Sequence, residues 1–357
     1  MDVSSPDKIF TKIRSKVCLY SPVDDLNLNN GVETELLLRE DPNRFCLFPI
    51  KYHDIWAAYK DHKNAFWTAE EIDFTSDKAD WERLTADEQY FIEHILAFFA
   101  GSDGIVLENL VKNFCTEVQI PEARCFYAFQ AMMENIHSET YSLMIDTFVK
   151  DPKRKEQLFN AITEIPCVAK KAEWALRWIE DTNTSFATRL FAFGIIEGLF
   201  FSGSFCAIFW LKERGVMAAT LGKSNEWIAR DESLHTQFAI LLYTYIANKI
   251  TEVEAHNIMH QAVLIEEDFV TESLPVKLIG MNHGLMKSYI RFCADRLLHQ
   301  FGYKKIYYEK NPFPFMEKIS MDGKTNFFEQ RVSEYSMTTM PSDDNIFVLE
   351  DLEGETF

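Results

Sequence analysis

Residues 134–137 read Glu-Asn-Ile-His and residues 232–235 read Glu-Ser-Leu-His, and these two units decide the fold. In a helix of about 3.6 residues per turn, positions i and i+3 lie on one face, so each unit presents a carboxylate and an imidazole to one point. Of the nine histidines, only His137 and His235 follow a glutamate by three positions. The two units therefore predict paired metal ligands on two helices.

One isolated carboxylate precedes each unit inside an apolar stretch. Asp103 lies 31 residues before Glu134, and Glu197 lies 35 residues before Glu232. This is the spacing of one antiparallel helix pair used twice. Burying an unpaired charge costs several kcal/mol or more, so metal binding is the economical interpretation of these acids. The alternative is that they face a wet groove between helices.

Two histidines and four carboxylates are thus the predicted metal ligands: Asp103, Glu134, His137, Glu197, Glu232 and His235. Six ligands are too many for one catalytic zinc and suit two transition metals bridged by carboxylates. Their four negative charges match two ferrous ions, and the oxygen-rich set also admits manganese. The repeated order is similar to that of ferritin-like di-iron proteins. We therefore predict an all-α, ferritin-like helical bundle with a di-metal carboxylate core.

Composition limits the class of protein. The chain has 357 residues, of which 47% are apolar, and a single domain is favoured because the six ligands must converge. A net charge of -19 argues against nonspecific nucleic-acid binding. Seven cysteines form no C-x-x-C pair, and their odd number argues against a disulfide framework. With a charged, mixed N-terminus in place of a signal peptide, these features favour a reducing, cytoplasmic location.

The stretch from Leu190 to Leu211 carries a single charge, Glu197, and is long enough to suggest a transmembrane helix. That charge, however, lies at a predicted ligand position. Gly194, Gly198 and Gly203 also suit close packing against protein neighbours. We therefore expect the central buried helix of the bundle and no membrane association.

Helical periodicity begins at a capping-box-like sequence, Thr85-Ala86-Asp87-Glu88, and continues through Phe114. Further helices are predicted at about 122–150, 152–181, 185–215, 224–249, 251–280 and 284–302. Residues 304–320 are predicted to form a loop or a short hairpin. The predicted organisation is a flexible N-terminal arm (1–40), a helical di-iron domain (41–330) and a flexible, acidic C-terminal tail (331–357).

Two residues near the ligands have open interpretations. Tyr141 follows His137 by four positions and lies one turn away on the ligand face. It is either a packing residue or an oxidisable group that forms a radical beside iron. Asp231 is either an acceptor for a ligating imidazole or the salt-bridge partner of Arg230.

Seven stretches of the chain carry a family resemblance: AFFAGSDGIV (97–106), ENIHSETY (134–141), EGLFFSGSF (197–205), RDESLH (230–235), FWTAEE (66–71), LPVKLIGMN (274–282) and GKTNFF (323–328). They resemble the small, radical-bearing subunit of class I ribonucleotide reductases of eukaryotic type. The likeness extends from about Arg39 to Tyr335.

The resemblance implies a role for each matched residue. The six ligands hold two irons, and Tyr141 becomes a stable tyrosyl radical when ferrous iron reacts with oxygen. Trp67, Asp231 and His137 form a relay for an electron and a proton, and Tyr335 passes the radical to a large catalytic subunit that reduces ribonucleoside diphosphates. The resemblance also implies a homodimer that binds the large subunit through its C-terminal tail.

Two other functions fit the same fold. An oxygen-activating monooxygenase or desaturase would act on its own substrate and needs an open cavity at the metals. Phe201 and Phe205, beside the ligands, argue against such a cavity, although both are equally consistent with ordinary core packing. A ferritin-like iron store is the third alternative, and such stores need a much shorter chain.

Overall fold

The computed structural model describes residues 35–316, except residues 43, 182 and 274–280. Every regular element in this part of the chain is helical, which confirms the predicted all-α class. Within the predicted arm, Leu37 is buried and its carbonyl oxygen accepts a hydrogen bond from the backbone of Gln119 at 2.8 Å. The predicted tail with Tyr335, residues 1–34 of the arm, the motif at 323–328 and residues 274–280 of the motif at 274–282 lie outside the described residues.

The α-helices of at least four residues follow one another along the chain with short connections. They are α1 His53–Asn64, α2 Lys78–Arg83, α3 Ala86–Asn109, α4 Pro121–Phe148, α5 Pro152–Phe159, α6 Ala161–Glu164, α7 Pro166–Glu180, α8 Phe186–Ile195, α9 Ser202–Glu213, α10 Lys223–Thr244, α11 Glu252–Ser273 and α12 His283–Gln300. Three π-helical turns continue or introduce these helices: Leu110–Phe114, Ile196–Phe200 and Ala218–Gly222.

The N-terminus of α3 is a capping box, as the sequence predicts. The Glu88 backbone donates to Thr85 Oγ1 at 3.2 Å, and the Thr85 backbone donates to the Glu88 carboxylate at 3.0 Å. Two donors that a helix start leaves unpaired are thereby satisfied. This cap fixes where the first ligand-bearing helix begins.

The prediction of one helix over 152–181 is wrong, because three helices occupy this segment. Pro166 lacks a backbone N–H and disfavours helical geometry in the residue before it, and Ile165 is extended (φ -111, ψ 109). Helix α1 was missed altogether. Of the predicted loop or hairpin at 304–320, the described part forms no strand.

Two helix pairs form the centre of the bundle. Helix α3 packs against α4, while α8 and its π-helical turn pack against α10. Helix α1 packs against both α4 and α10. The four ligand-bearing segments therefore surround a common interior, with α1 closing one side.

Two helical segments, Ala86–Glu117 and Phe186–Glu213, are long and apolar enough to cross a membrane by composition alone. Their most apolar windows are 61% and 89% buried inside the protein. A Cβ added to Gly194 in the second segment would lie 2.5 Å from the ring of Phe301. The close packing confirms this stretch as the central buried helix.

A buried ion pair connects α7 to α11. Lys171 Nζ lies 2.6 Å from Glu266 Oε2 and also donates to the carbonyl oxygen of Phe200 at 2.6 Å. The ammonium group lies 3.4 Å from the centroid of the Phe98 ring. Burial lowers the pKa of Lys171 to about 8 and raises the pKa of Glu266. Lys171 therefore supports the π-helical turn that carries Glu197.

We expect Lys171→Met to lower the free energy of unfolding by about 3–5 kcal/mol, because it leaves the Glu266 carboxylate buried without its cation. The measurement is denaturant unfolding of the metal-free protein. Adding Glu266→Gln should recover most of the loss, since the isolated charge is then gone. A single variant as stable as the wild type would contradict this account.

Candidate metal centre

Four helical segments deliver the six predicted ligands to one interior region. Asp103 comes from α3, Glu134 and His137 from α4, Glu197 from the π-helical turn after α8, and Glu232 and His235 from α10. All six are buried, none more than 3% exposed. Glu197 lies in a π-helical turn, a feature that often marks functional sites.

The ligand atoms form two groups, and within each group they lie within 4.8 Å of one another. One group holds Asp103, Glu134 and His137, and the other holds Glu134, Glu197, Glu232 and His235. Glu134 belongs to both, and the ring centroids of the two histidines are 6.1 Å apart. This is the arrangement of two adjacent metal positions that share a carboxylate.

Both imidazoles turn the same nitrogen toward the carboxylates. His137 Nδ1 lies 3.2 Å from Glu232 Oε1 and 3.5 Å from Glu134 Oε2. His235 Nδ1 lies 3.1 Å from Glu134 Oε1 and 3.3 Å from Glu232 Oε2. The ligand pairs from the two helices therefore interlock around a shared centre.

Several buried carboxylate oxygens of this region meet no hydrogen-bond donor in the described part of the chain other than the two ligand imidazoles. They include both carboxylate oxygens of Asp103 and of Glu134, together with Glu197 Oε2 and Glu232 Oε1. Buried polar groups are normally paired, so this concentration requires an explanation. Divalent cations would satisfy these oxygens and the imidazole nitrogens, and the residues therefore fit a pair of metal ions.

The electrostatics reflect the crowding of charge. Burial, followed by repulsion from Glu134, raises the pKa of Asp103 well above its usual range. Burial alone would lower the pKa of His137, but its contacts with Asp231 and the nearby glutamates raise it well above its usual value. In the metal-free protein, protons on these side chains thus supply part of the positive charge that bound metal cations would supply.

Tyr141 is 2% exposed and lies against an aromatic cluster. Its ring centroid is 4.6 Å from that of Phe99, which in turn lies 5.5 Å from Phe201 and 5.2 Å from Phe205. The two phenylalanines picked out in the sequence therefore reach Tyr141 through Phe99, which was not singled out. Burial, followed by the charge of Asp103, raises the pKa of Tyr141 well above its usual range.

Trp67, Asp231 and His137 form a hydrogen-bonded series. Trp67 Nε1 donates to Asp231 Oδ2 at 2.7 Å, and His137 Nε2 lies 3.2 Å from the same oxygen. The other oxygen of Asp231 accepts from Arg230 at 3.0 Å. Asp231 therefore contacts both of the partners considered from the sequence, an imidazole of the predicted ligand set and the guanidinium of Arg230. Tyr335 lies outside the described residues.

Sequence reasoning missed two side chains that contact the ligands. Gln130 Nε2 donates to Glu197 Oε1 at 2.8 Å, and His62 Nε2 lies 3.2 Å from His235 Nε2. Gln130 precedes Glu134 by four residues on α4, so helical spacing was an available signal. His62 has no glutamate three residues before it, and its approach joins residues far apart in the chain.

Comparison with known proteins identifies the family. The family model described as "Ribonucleotide reductase, small chain" matches residues 44–312. The chain belongs to the ribonucleotide reductase small-chain family. The resemblance predicted from the motifs is confirmed, and the family together with the carboxylate and histidine cluster supports a di-metal site.

Similar proteins occur across eukaryotes. The chain is 58% identical over 322 residues to human "Ribonucleoside-diphosphate reductase subunit M2", covering 90% of this chain and 82% of that protein. It is 61% identical over 302 residues to the small chain of Neurospora crassa, covering 84% and 73%. The Rnr4 homodimer of Saccharomyces cerevisiae matches with a TM-score of 0.73 and 42% identity, covering 81% of this chain and 93% of that one.

These similarities decide between the functions that the sequence left open. Members of the ribonucleotide reductase small-chain family have the ferritin-like fold that the ligand order predicts, and the structural match confirms that fold class here. The chain is an oxidoreductase subunit. The iron-store and monooxygenase alternatives are therefore not supported.

Proposed function

We propose that this chain generates and stores a tyrosyl radical on Tyr141, which a large subunit uses to reduce ribonucleoside diphosphates. The observation that carries the proposal is the setting of Tyr141. It lies one helical turn beyond His137, is 2% exposed, and its hydroxyl has no hydrogen-bond partner among the described residues. A phenol in this position is dry and close to the metal ligands.

The proposed cofactor is two iron ions per chain, held by Asp103, Glu134, His137, Glu197, Glu232 and His235. When bound, the metal pair activates oxygen and supplies the oxidising power that removes an electron and a proton from Tyr141. Manganese is also compatible with the oxygen-rich ligand set.

The protein's own contribution is protection and positioning. Phe99 covers one face of Tyr141, and Phe201 and Phe205 pack behind it. Apolar side chains on this side exclude water and dissolved reductants, which lengthens the life of an oxidised phenol.

Trp67, Asp231 and His137 are the proposed relay between the metal centre and the large subunit. Burial opposes ionisation of Asp231, but His137 and the charge of Arg230 outweigh it and lower the pKa of Asp231. An ionised Asp231 accepts N–H groups from both rings and holds them in register. Tyr335 is the proposed next residue of the relay, which passes the radical to the large subunit.

Partners and location follow from the same proposal. The chain forms a homodimer, as the similar yeast protein Rnr4 does in its own solved structure, and binds the large subunit through the tail at 331–357. The arm at 1–40 and the domain at 41–330 complete the proposed organisation. A cytoplasmic location is supported by the six described cysteines, all of which are free.

The test is reconstitution of the metal-free protein with ferrous iron and oxygen. We expect a tyrosyl electron-spin signal, and deoxyribonucleotide formation once the large subunit is added. Turnover of an organic substrate without a partner would contradict the proposal. So would uptake of far more than two irons per chain.

We expect Trp67→Phe to lower deoxyribonucleotide formation with the large subunit by about 10- to 100-fold, the range typical of hydrogen-bonded residues outside the ligands of a metal site. The substitution keeps an aromatic ring and removes the N–H that Asp231 accepts. Metal content should not change.

The matched control for this relay variant is Trp227→Phe. Trp227 lies 5.3 Å from Trp67 between ring centroids and is not part of the proposed hydrogen-bonded series. The Trp227→Phe protein should retain deoxyribonucleotide formation with the large subunit. Equal losses in both variants would show that indole packing, rather than the bond to Asp231, determines activity.

A further inference from the structure

His62 is a fully buried histidine of α1 that touches a predicted metal ligand. Its Nε2 lies 3.2 Å from His235 Nε2, and the two rings cross at 69° with centroids 4.7 Å apart. The other nitrogen of His235 faces Glu134 and Glu232 at 3.1 and 3.3 Å. His235 is therefore held between the carboxylates on one side and His62 on the other.

The nitrogen-to-nitrogen contact restricts the protonation of both rings. A neutral imidazole has one donor and one acceptor nitrogen. To ligate a metal, His235 Nδ1 must offer its lone pair, so His235 Nε2 carries the proton and donates. His62 Nε2 must then accept, which requires the neutral form of His62 with its proton on Nδ1. One tautomer of each ring satisfies the contact.

Packing fixes the ring of His62 in place. Its centroid lies 4.9 Å from that of Phe126 and 4.8 Å from that of Phe129, both on α4. The side chain is 0% exposed, so water does not compete for its nitrogen. The acceptor offered to His235 is therefore pre-positioned.

The two ligand histidines consequently have unlike outer partners. His137 Nε2 meets Asp231, a carboxylate that also binds Trp67 and Arg230. His235 Nε2 meets the imidazole of His62. The outer partner of a ligating histidine fixes its tautomer and orientation and sets its basicity. The two predicted ligand histidines thus differ in the chemistry of the group that their Nε2 atoms face.

We propose that His62 is a positioning residue that fixes the tautomer and orientation of His235 and selectively sets the metal affinity of the position that His235 serves. The inference rests on the di-metal site of the proposed function and adds a residue outside the six ligands. It predicts that changes at His62 act on one metal position and spare the one served by His137.

The test is titration of the metal-free protein with Mn²⁺, with free Mn²⁺ followed by electron-spin resonance. We expect His62→Leu, which fills space but accepts no hydrogen bond, to weaken one of two binding events by about 10- to 100-fold and to leave the other unchanged. His62→Gln offers an acceptor oxygen and should recover most of the affinity.

The control variant is His94→Gln. His94 is a buried histidine of α3 whose Nδ1 lies 2.7 Å from the Tyr90 carbonyl oxygen. It should bind Mn²⁺ as the wild type does. Thermal unfolding of each metal-free variant checks the fold, and if His62→Leu does not fold, His62→Met replaces it as the adaptable apolar variant.

Three results would overturn the inference: unchanged affinities in the apolar variant, equal weakening of both binding events, or a His62→Gln protein as weak as the apolar variant. A purely structural role would weaken both positions or neither, and would not be rescued by an acceptor. Failure of the wild type to bind two Mn²⁺ ions would instead contradict the di-metal centre of the proposed function.

Discussion

Tyr141→Phe is expected to abolish the tyrosyl electron-spin signal completely after treatment with ferrous iron and oxygen. The substitution removes the oxidisable hydroxyl and keeps the ring that packs against Phe99. Because this buried hydroxyl has no hydrogen-bond partner among the described residues, its loss should not lower the free energy of unfolding. Metal content should stay at the wild-type level.

Tyr127→Phe provides a matched control for this experiment. Tyr127 is also fully buried on α4, and its hydroxyl likewise lacks a hydrogen-bond partner in the described part of the chain. It lies seven residues before Glu134, whereas Tyr141 lies seven residues after it. The Tyr127→Phe protein should keep the signal. If Tyr141→Phe retained the signal, or if the control lost it, the assignment of the radical to Tyr141 would be wrong.

Glu134→Ala is expected to remove tight metal binding at both positions, because Glu134 belongs to both ligand groups. Asp103→Asn should weaken a single position. Metal analysis after desalting measures the metal retained at both positions.

The control for Glu134→Ala is Glu139→Ala, which removes an exposed carboxylate from the same helix. It should keep both metals. If Glu134→Ala retained two metals per chain, or if Asp103→Asn lost both, the assignment of Glu134 as the shared ligand would be wrong.

Much of the ligand set was readable in the sequence for a local reason. Each Glu-x-x-His unit places two side chains on one helical face whatever the rest of the chain does. Asp103 and Glu197 stood out because isolated charges in apolar helices need partners. Trp67 carried no such local signal, and the family resemblance alone pointed to it.

Several features could not be predicted because they depend on distant segments. The π-helical turn around Glu197 has no clear periodic signature, and Phe200 in that turn is bound by Lys171 from another helix. Phe99 covers Tyr141 through packing of α3 on α4. The break before Pro166, by contrast, has a local cause in the sequence, and the prediction of one continuous helix over 152–181 did not take this proline into account.

The amino-acid sequence by itself determined the helical class, the six candidate ligands and the family, because helical periodicity and motif identity are properties of short segments. The tertiary structure alone decided that Glu134 joins the two ligand groups, that Asp231 lies between Trp67 and His137, and that His62 meets His235. Such contacts depend on how helices far apart in the chain pack and on which nitrogen or oxygen each side chain turns inward. Local spacing specifies neither.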